Sequence, residues 1–333
     1  MSKGPVVIEV TRGPVVESRH EGAAAVVKPD GTVVASWGDI DARILPRSAN
    51  KPIQAMAFVE SGAVEKFGLG NEHIALSCAS HNGETRHVET VRAWLARIGL
   101  SDTDLECGAH APKLQTSIEA MARDGVLPTA AYNNCSGKHS GFLSTAVAYG
   151  ESTKGYIKYD HPVQRRLREI MSDLCGLDAN AFEYGTDGCG IPTLATPLKS
   201  LAQAMASMAE PSRLSNKHAE AATRIRTAMN AEPFMVAGSG RFCTRVNGAL
   251  VGVAQVKTGA EGVFCGMLPT LGLGVAIKMW DGAGRAAEVA MATLLHHLGV
   301  LPDDRKDEIL HSPIRNVVGL LVGEMRPAKS WLG

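Results

Sequence analysis

The chain is poor in aromatic residues, which make up 5% of its 333 positions. Trp37, Trp94, Trp280 and Trp331 are too scattered to form a base-stacking platform. No charge dominates, because 34 Lys and Arg balance 34 Asp and Glu. That balance excludes a generally basic surface for nucleic acid or an acidic membrane. Long apolar runs are missing: stretches such as Val317 to Val322 fall far short of the ~20 residues that span a bilayer. The N-terminal apolar run is broken at Glu9, so no signal-peptide core forms. Cysteine is sparse, odd in number and scattered: Cys78, Cys107, Cys135, Cys175, Cys189, Cys243 and Cys265. A disulfide framework is therefore not expected. These absences point to a cytoplasmic protein with neither a nucleic-acid nor a membrane partner. Internal repeats and low-complexity tracts are also absent.

What is present divides into strand-rich ends and a helical middle. Val6 to Val10, Val15 to Ser18, Ala23 to Val27 and Thr32 to Ser36 are β-branched or small apolar runs. The last two flank the turn sequence Pro29-Asp30-Gly31, so an antiparallel meander is expected. Helices are expected from Ile53 to Glu60 behind Pro52, over His87 to Ile98, Lys138 to Tyr149 and Pro162 to Leu174, with Glu210-Pro211-Ser212 separating two more. Strands return late. Phe242 to Val246 and Ala249 to Val256 flank Asn247-Gly248, a strong hairpin signal. Val263 to Met267 and Gly274 to Met279 follow, and Arg285 to Leu298 closes as a helix. The expected fold class is α+β, an α/β sandwich. Its antiparallel sheet comes from residues 1–47 and about 240–333, with helices packed on it. A mainly helical region covers about 48–239, all within one composite domain, 1–333.

Three short motifs occur in order. Ser48-Ala49-Asn50-Lys51 is a Ser-x-x-Lys at the entry to a helix. Spacing of i and i+3 puts the amine and the hydroxyl on one face, and a lysine whose ammonium is destabilised by burial can deprotonate a serine. Ser80-His81-Asn82 leads into the next helix. Lys257-Thr258-Gly259 ends a late strand, where the glycine would let a substrate lie against the backbone. Each motif alone also fits a solvated surface group. Together and in this order they are the signature of enzymes that attack an amide carbonyl through an acyl-serine. A second set comprises Asn133 to Gly141 and Thr186-Asp187-Gly188-Cys189-Gly190. Its Cys135 and Cys189 fit either buried packing thiols or one shared soft metal, Zn2+ first, with Asp187, His139 or Lys138 as third ligand.

Arg47-Ser48-Ala49-Asn50-Lys51-Pro52, Ser80 to Glu84, Asn133 to Gly141 and Asp187 to Gly190 closely resemble the Rhizobium etli-type (class 3) L-asparaginases, over essentially the whole chain. The resemblance implies a fold like that of serine β-lactamases and glutaminases, a homodimer, and hydrolysis of L-asparagine to L-aspartate and ammonia. It implies two Ser–Lys tandems, Ser48 with Lys51 and Ser80 with Lys257. It also implies Zn2+ held by Cys135, Lys138 and Cys189, in a structural or substrate-positioning role. The α-ammonium of such a substrate calls for a carboxylate, for which Asp187 is the candidate. Its α-carboxylate calls for donors, and Arg47 and His139 are candidates. Two other readings remain: a glutaminase or related acyl-serine amidohydrolase, and a zinc- or thiol-based redox sensor built on Cys135 and Cys189.

Overall fold

A computed structural model describes residues 4–180, 182–310 and 312–332. In chain order its main elements are β1 (Val6–Arg12), β2 (Val15–Val27), β3 (Val33–Trp37), α1 (Lys51–Glu60), α2 (Asn71–Ser77), α3 (Thr85–Arg97), α4 (Ser136–Tyr149), α5 (Pro162–Cys175), α6 (Leu198–Ala209), α7 (Asn216–Ala231), α8 (Phe242–Ala249), β4 (Gln255–Thr258), β5 (Val263–Leu268), β6 (Leu273–Met279), α9 (Gly284–His297), β7 (Ser312–Arg315) and β8 (Leu321–Pro327). The chain divides into two compact units, one of residues 1–49, 196–210 and 249–333, the other of 50–195 and 211–248.

The first unit is built on an eight-stranded sheet of order β7-β8-β1-β2-β6-β5-β4, with β3 also paired to β2. Every pairing in it is antiparallel. β2 changes character along its length. Its first residues alternate in exposure and pair with β1, whereas Ala23 to Val27 are all buried and pair with β6. That change follows from covering one or both faces of a sheet. Helix α6 lies directly on β6 at Gly274, where a Cβ would stand 2.0 Å from the Ala202 carbonyl oxygen and 2.2 Å from the Ala206 nitrogen. Helix α9 is buried almost all round, from Ala286 to Leu295 with Glu288 the exception, as a helix inside the core is. The α+β expectation, with one antiparallel sheet from both ends of the chain, is borne out.

The second unit is helical. Its central helix α4 is buried from Ser136 to Ala146. The small residues of that stretch permit close approach: a Cβ on Gly137 would lie 2.2 Å from the Leu76 carbonyl oxygen of α2. Ser140, Ser144 and Thr145 return their hydroxyls to carbonyls one turn back, so a polar helix is buried without orphaned groups at these positions.

Two local expectations are corrected. Phe242 to Ala249 is a helix, not the first half of a hairpin around Asn247-Gly248, and the return to strand begins at Gln255 rather than near 240. Phe242, Cys243 and Val246 are buried at helical spacing, and that packing overrides the local turn preference. The apolar run Ile74 to Cys78, strand-like in sequence, instead forms the end of helix α2, with Cys78 as its C-cap. Among the described residues no helix is long and apolar enough to cross a membrane.

Candidate active site

In the sheet-containing unit, Arg47 and Ser48 lie in a single 3-10 turn, Arg47–Asn50, which continues directly into α1. Arg47 has φ +52°, the left-handed region that side chains avoid, so the turn presents Ser48 at a cost in backbone strain. Lys257 is buried on β4 and donates to the Thr258 carbonyl at 2.7 Å. Opposite it on β5 stands Cys265, whose thiol donates to the Ala49 carbonyl at 2.9 Å. The expected role of Gly259 changes. What fills the space beside it is the Ser48 turn itself, since a Cβ there would lie 2.7 Å from the Pro46 carbonyl oxygen and 3.1 Å from the Ala49 nitrogen.

In the helical unit, Lys51 is 0% exposed. Its ammonium donates to the Ser80 hydroxyl at 3.1 Å and to the Ala79 carbonyl. The segment from Ser80 to Gly83 is buried and held on several sides. The Ser80 amide bonds the Val236 carbonyl at 3.0 Å. His81 accepts the Gly83 amide at Nδ1, so its Nε2–H is the donor to the Ser136 hydroxyl, 2.9 Å away. Burial and the nearby His87 and Lys51 charges hold His81 well below the usual imidazole range.

Cys135, Lys138, Asp187 and Cys189 converge in the same unit. Cys135 caps the start of α4, with its amide bonded to Asn133 at 2.9 Å. Cys189 comes from a tight turn closed by Asp187, and its sulfur is 2.9 Å from the Lys138 amine and 3.8 Å from Asp187 Oδ2. A hydrogen bond from Cys189 and the charges of Lys51 and Lys138 outweigh burial and hold the Cys135 thiol well below its usual range. Cys189 keeps the shared proton and is pushed up. Burial opposes the Lys138 charge, but Cys189, Cys135 and Asp187 outweigh it and raise its pKa. His139, also fully buried, lies 2.8 Å from the Tyr156 hydroxyl.

The donor set suits a soft divalent metal. Among the described residues no three His, Cys, Asp or Glu side chains form a metal cluster. The two sulfurs and the Lys138 amine do converge, however, and three such ligands would leave one position open. The protons now on Lys138 and Cys189 would have to leave first.

Lys51, Ser80, Cys135, Lys138, His139, Asp187 and Cys189 therefore fall in the helical unit, and Arg47, Ser48 and Lys257 in the sheet-containing unit. Lys51 meets Ser80, a contact that its i, i+3 spacing from Ser48 does not reveal. Sequence reasoning missed the loop after Gly238. Ser239 bonds the Glu84 carboxylate through its amide and hydroxyl, at 2.8 and 2.7 Å, and Arg241 donates to the Asn82 side chain at 3.0 Å. It also missed Tyr156. Neither carries a motif, and only the Asn82 and Glu84 ends lay within a quoted segment.

No curated protein matches the chain. Among solved structures it is similar to Mglu in its native form, with 14% identity, a TM-score of 0.48, and 85% of this chain and 66% of that one covered. It is also similar to Mglu in its tris and glutamate form, with 14% identity, a TM-score of 0.47, and 89% and 63% covered. A β-lactamase from Mycobacterium bovis is similar with 18% identity, a TM-score of 0.42, and 83% and 94% covered. The chain spans about two thirds of the length of the Mglu chains it matches. The profile of the L-asparaginase II family matches residues 8–327, nearly the whole sequence. With the expected Ser, Lys and Cys residues in place across that span, the chain belongs to the L-asparaginase II family.

Proposed function

We propose that the protein hydrolyses the side-chain amide of L-asparagine through an acyl-serine. Membership of the family makes it an asparaginase-type amidohydrolase; substrate and mechanism are our reading. The observation that carries it is the buried Lys51 ammonium on the Ser80 hydroxyl at 3.1 Å. A lysine amine within hydrogen-bond reach of a serine hydroxyl can exchange a proton with it.

In this reading Ser48 attacks the carboxamide carbon, and its proton passes to the neutral amine form of Lys51, which becomes the ammonium. Peptide N–H groups of the strained turn stabilise the oxyanion. The C–N bond breaks as a proton travels from Lys51 through Ser80 to the departing nitrogen, releasing ammonia. Water then cleaves the ester to give L-aspartate. Lys257 takes the role of the second lysine, as the partner of Ser80 in the second Ser–Lys tandem. Asp187 receives the α-ammonium, and Arg47 and His139 receive the α-carboxylate. Cys135, Lys138 and Cys189 would hold Zn2+, which when bound supplies a fixed positive charge that orients this end of the substrate. We also propose a homodimer working in the cytoplasm.

A second reading exchanges the serines. The Lys51 contact favours Ser80 as the group activated first. Ammonia release from L-asparagine and L-glutamine, measured on the wild type, S48A and S80A, tests both. Loss of asparagine turnover in S48A supports the first reading. Turnover surviving in S48A but not in S80A supports the second. Preference for glutamine reassigns the substrate, and no turnover of either amide leaves the thiol and metal sensor.

A further inference from the structure

Tyr156 and His139 form a pair in the helical unit whose hydrogen bonds can be counted to the last proton. The Tyr156 hydroxyl oxygen accepts the Glu106 amide N–H at 2.8 Å and lies 2.8 Å from His139 Nδ1. Both residues are 0% exposed. His139 Nε2 has no hydrogen-bond partner among the described residues.

Two arrangements are available. If Nδ1 carried the hydrogen and donated it, the phenol O–H would lack an acceptor and Nε2 would be a bare buried acceptor. If the phenol donates to Nδ1, the hydroxyl is used in both directions and only the Nε2–H is left over. Burying an unused polar group is costly, so one leftover group is favoured over two. The phenol is also clamped in place. Gln164 donates to the Tyr156 carbonyl at 2.9 Å, and the Gly155 amide bonds the Glu106 carboxylate at 2.8 Å. The tyrosine ring stands edge-on to the imidazole, 5.4 Å between centroids at 74°.

The leftover group is a buried N–H donor, and a hydrogen bond from it to a charged acceptor is stronger than one to a neutral acceptor. An anionic acceptor therefore fits there better than a neutral one. The α-carboxylate of an amino-acid substrate has that chemistry.

We infer that Tyr156 is a positioning residue: by donating to His139 Nδ1 it fixes the Nε2–H form of the imidazole and reserves that N–H for a carboxylate oxygen of the substrate. The inference rests on the amidohydrolase reading above and adds to it the group that sets the state of His139.

Protein labelled with 15N-histidine, with H139Q used to identify the His139 signals, reads the tautomer without substrate. The wild type should show a protonated Nε2 and a hydrogen-bonded, unprotonated Nδ1. Y156F keeps the ring but removes the donor, so the Nδ1 signal should move to that of an unbonded nitrogen or gain the proton. In kinetics Y156F should raise KM for L-asparagine by ~10-fold or more, with kcat falling by less than ~3-fold. A purely structural tyrosine would lower Tm without moving Nδ1 or KM. A wild-type Nδ1–H overturns the inference without any variant, so a poorly folded Y156F does not shield it. An unchanged KM in folded Y156F overturns it as well. If the wild type neither turns over L-asparagine nor binds L-aspartate, the amidohydrolase reading fails and the carboxylate assignment falls with it, whatever the tautomer.

Discussion

The Lys51 ammonium and the Ser80 hydroxyl are 3.1 Å apart, although 28 residues separate them in the chain. The contact joins the first turn of α1 to the loop that follows α2, and both ends are buried. Replacing Lys51 by Met keeps the volume of the stem and removes the charge. K51M should lower kcat by about 10²–10⁴-fold, the range for loss of a general acid or base. S80A should fall in the same range if protons pass through Ser80. Steady-state kinetics on both, and on the double variant, check this. Losses in the double variant that merely multiply would show that the two groups act separately.

Gly259 gives a packing test within the sheet-containing unit. An added methyl would meet the Pro46 carbonyl oxygen at 2.7 Å, and backbone cannot rotate out of the way. G259A should push the Ser48 turn from β4, destabilise by about 1–3 kcal/mol and lower kcat/KM by roughly 10-fold or more. Gly284 at the start of α9 is the control, because nothing lies within 4 Å of its added Cβ. G284A should leave kcat/KM unchanged and stabilise by up to about 1 kcal/mol. Thermal melts and kinetics on the two variants decide it.

Much of this could be read in the sequence. β-branched runs at both ends, the Pro52 start of α1 and the closing helical segment that is α9 pointed to the α+β class, because periodicity and turn residues are local signals. Asn247-Gly248 misled for the same reason: a local turn preference was overruled by burial of Phe242, Cys243 and Val246. The residue types of the candidate site were legible as motifs, but their partners were not. Spacing of three suggests Ser48 for Lys51, whereas the contact with Ser80 depends on how α1 and α2 pack. Tyr156 and Ser239 carry no motif at all, and they become visible only when buried donors and acceptors are counted.

His218 offers a test of stability against pH. Its ring bonds Glu60 of α1 at 2.6 Å and Asp173 of α5 at 3.3 Å, tying α7 to both helices, with Lys217 also facing Glu60 at 3.9 Å. The hydrogen bond and charge of Glu60, with help from Asp173, outweigh burial and raise the imidazole pKa above 6.5. A raised folded value means that the stabilisation is complete below the unfolded value and is lost as pH rises through the folded one. H218Q should therefore cost about 1–3 kcal/mol near pH 6, and the gap should close toward pH 9. Melting curves of wild type and H218Q across that range check the sign. A gap that widens with pH would show that the histidine is neutral in the fold.

Metal binding carries its own proton count. Without metal, Lys138 is held protonated by the Cys189 and Cys135 sulfurs and Asp187, and Cys189 keeps the proton that Cys135 gives up. Coordination by two thiolates and a neutral amine requires both protons to leave, so Zn2+ binding should release about two near pH 7. Calorimetric titration of the metal-stripped protein in buffers of different ionisation enthalpy measures this number directly. Affinity should rise with pH, since the competing protons are then held less firmly. C189S should weaken binding sharply, because a neutral hydroxyl is a poor ligand for a soft ion. K138M should reduce the release to about one proton, leaving the thiol as its source. Zn2+ affinity unchanged in K138M would show that the amine is not a ligand, and Asp187 would then be the next candidate beside Cys189.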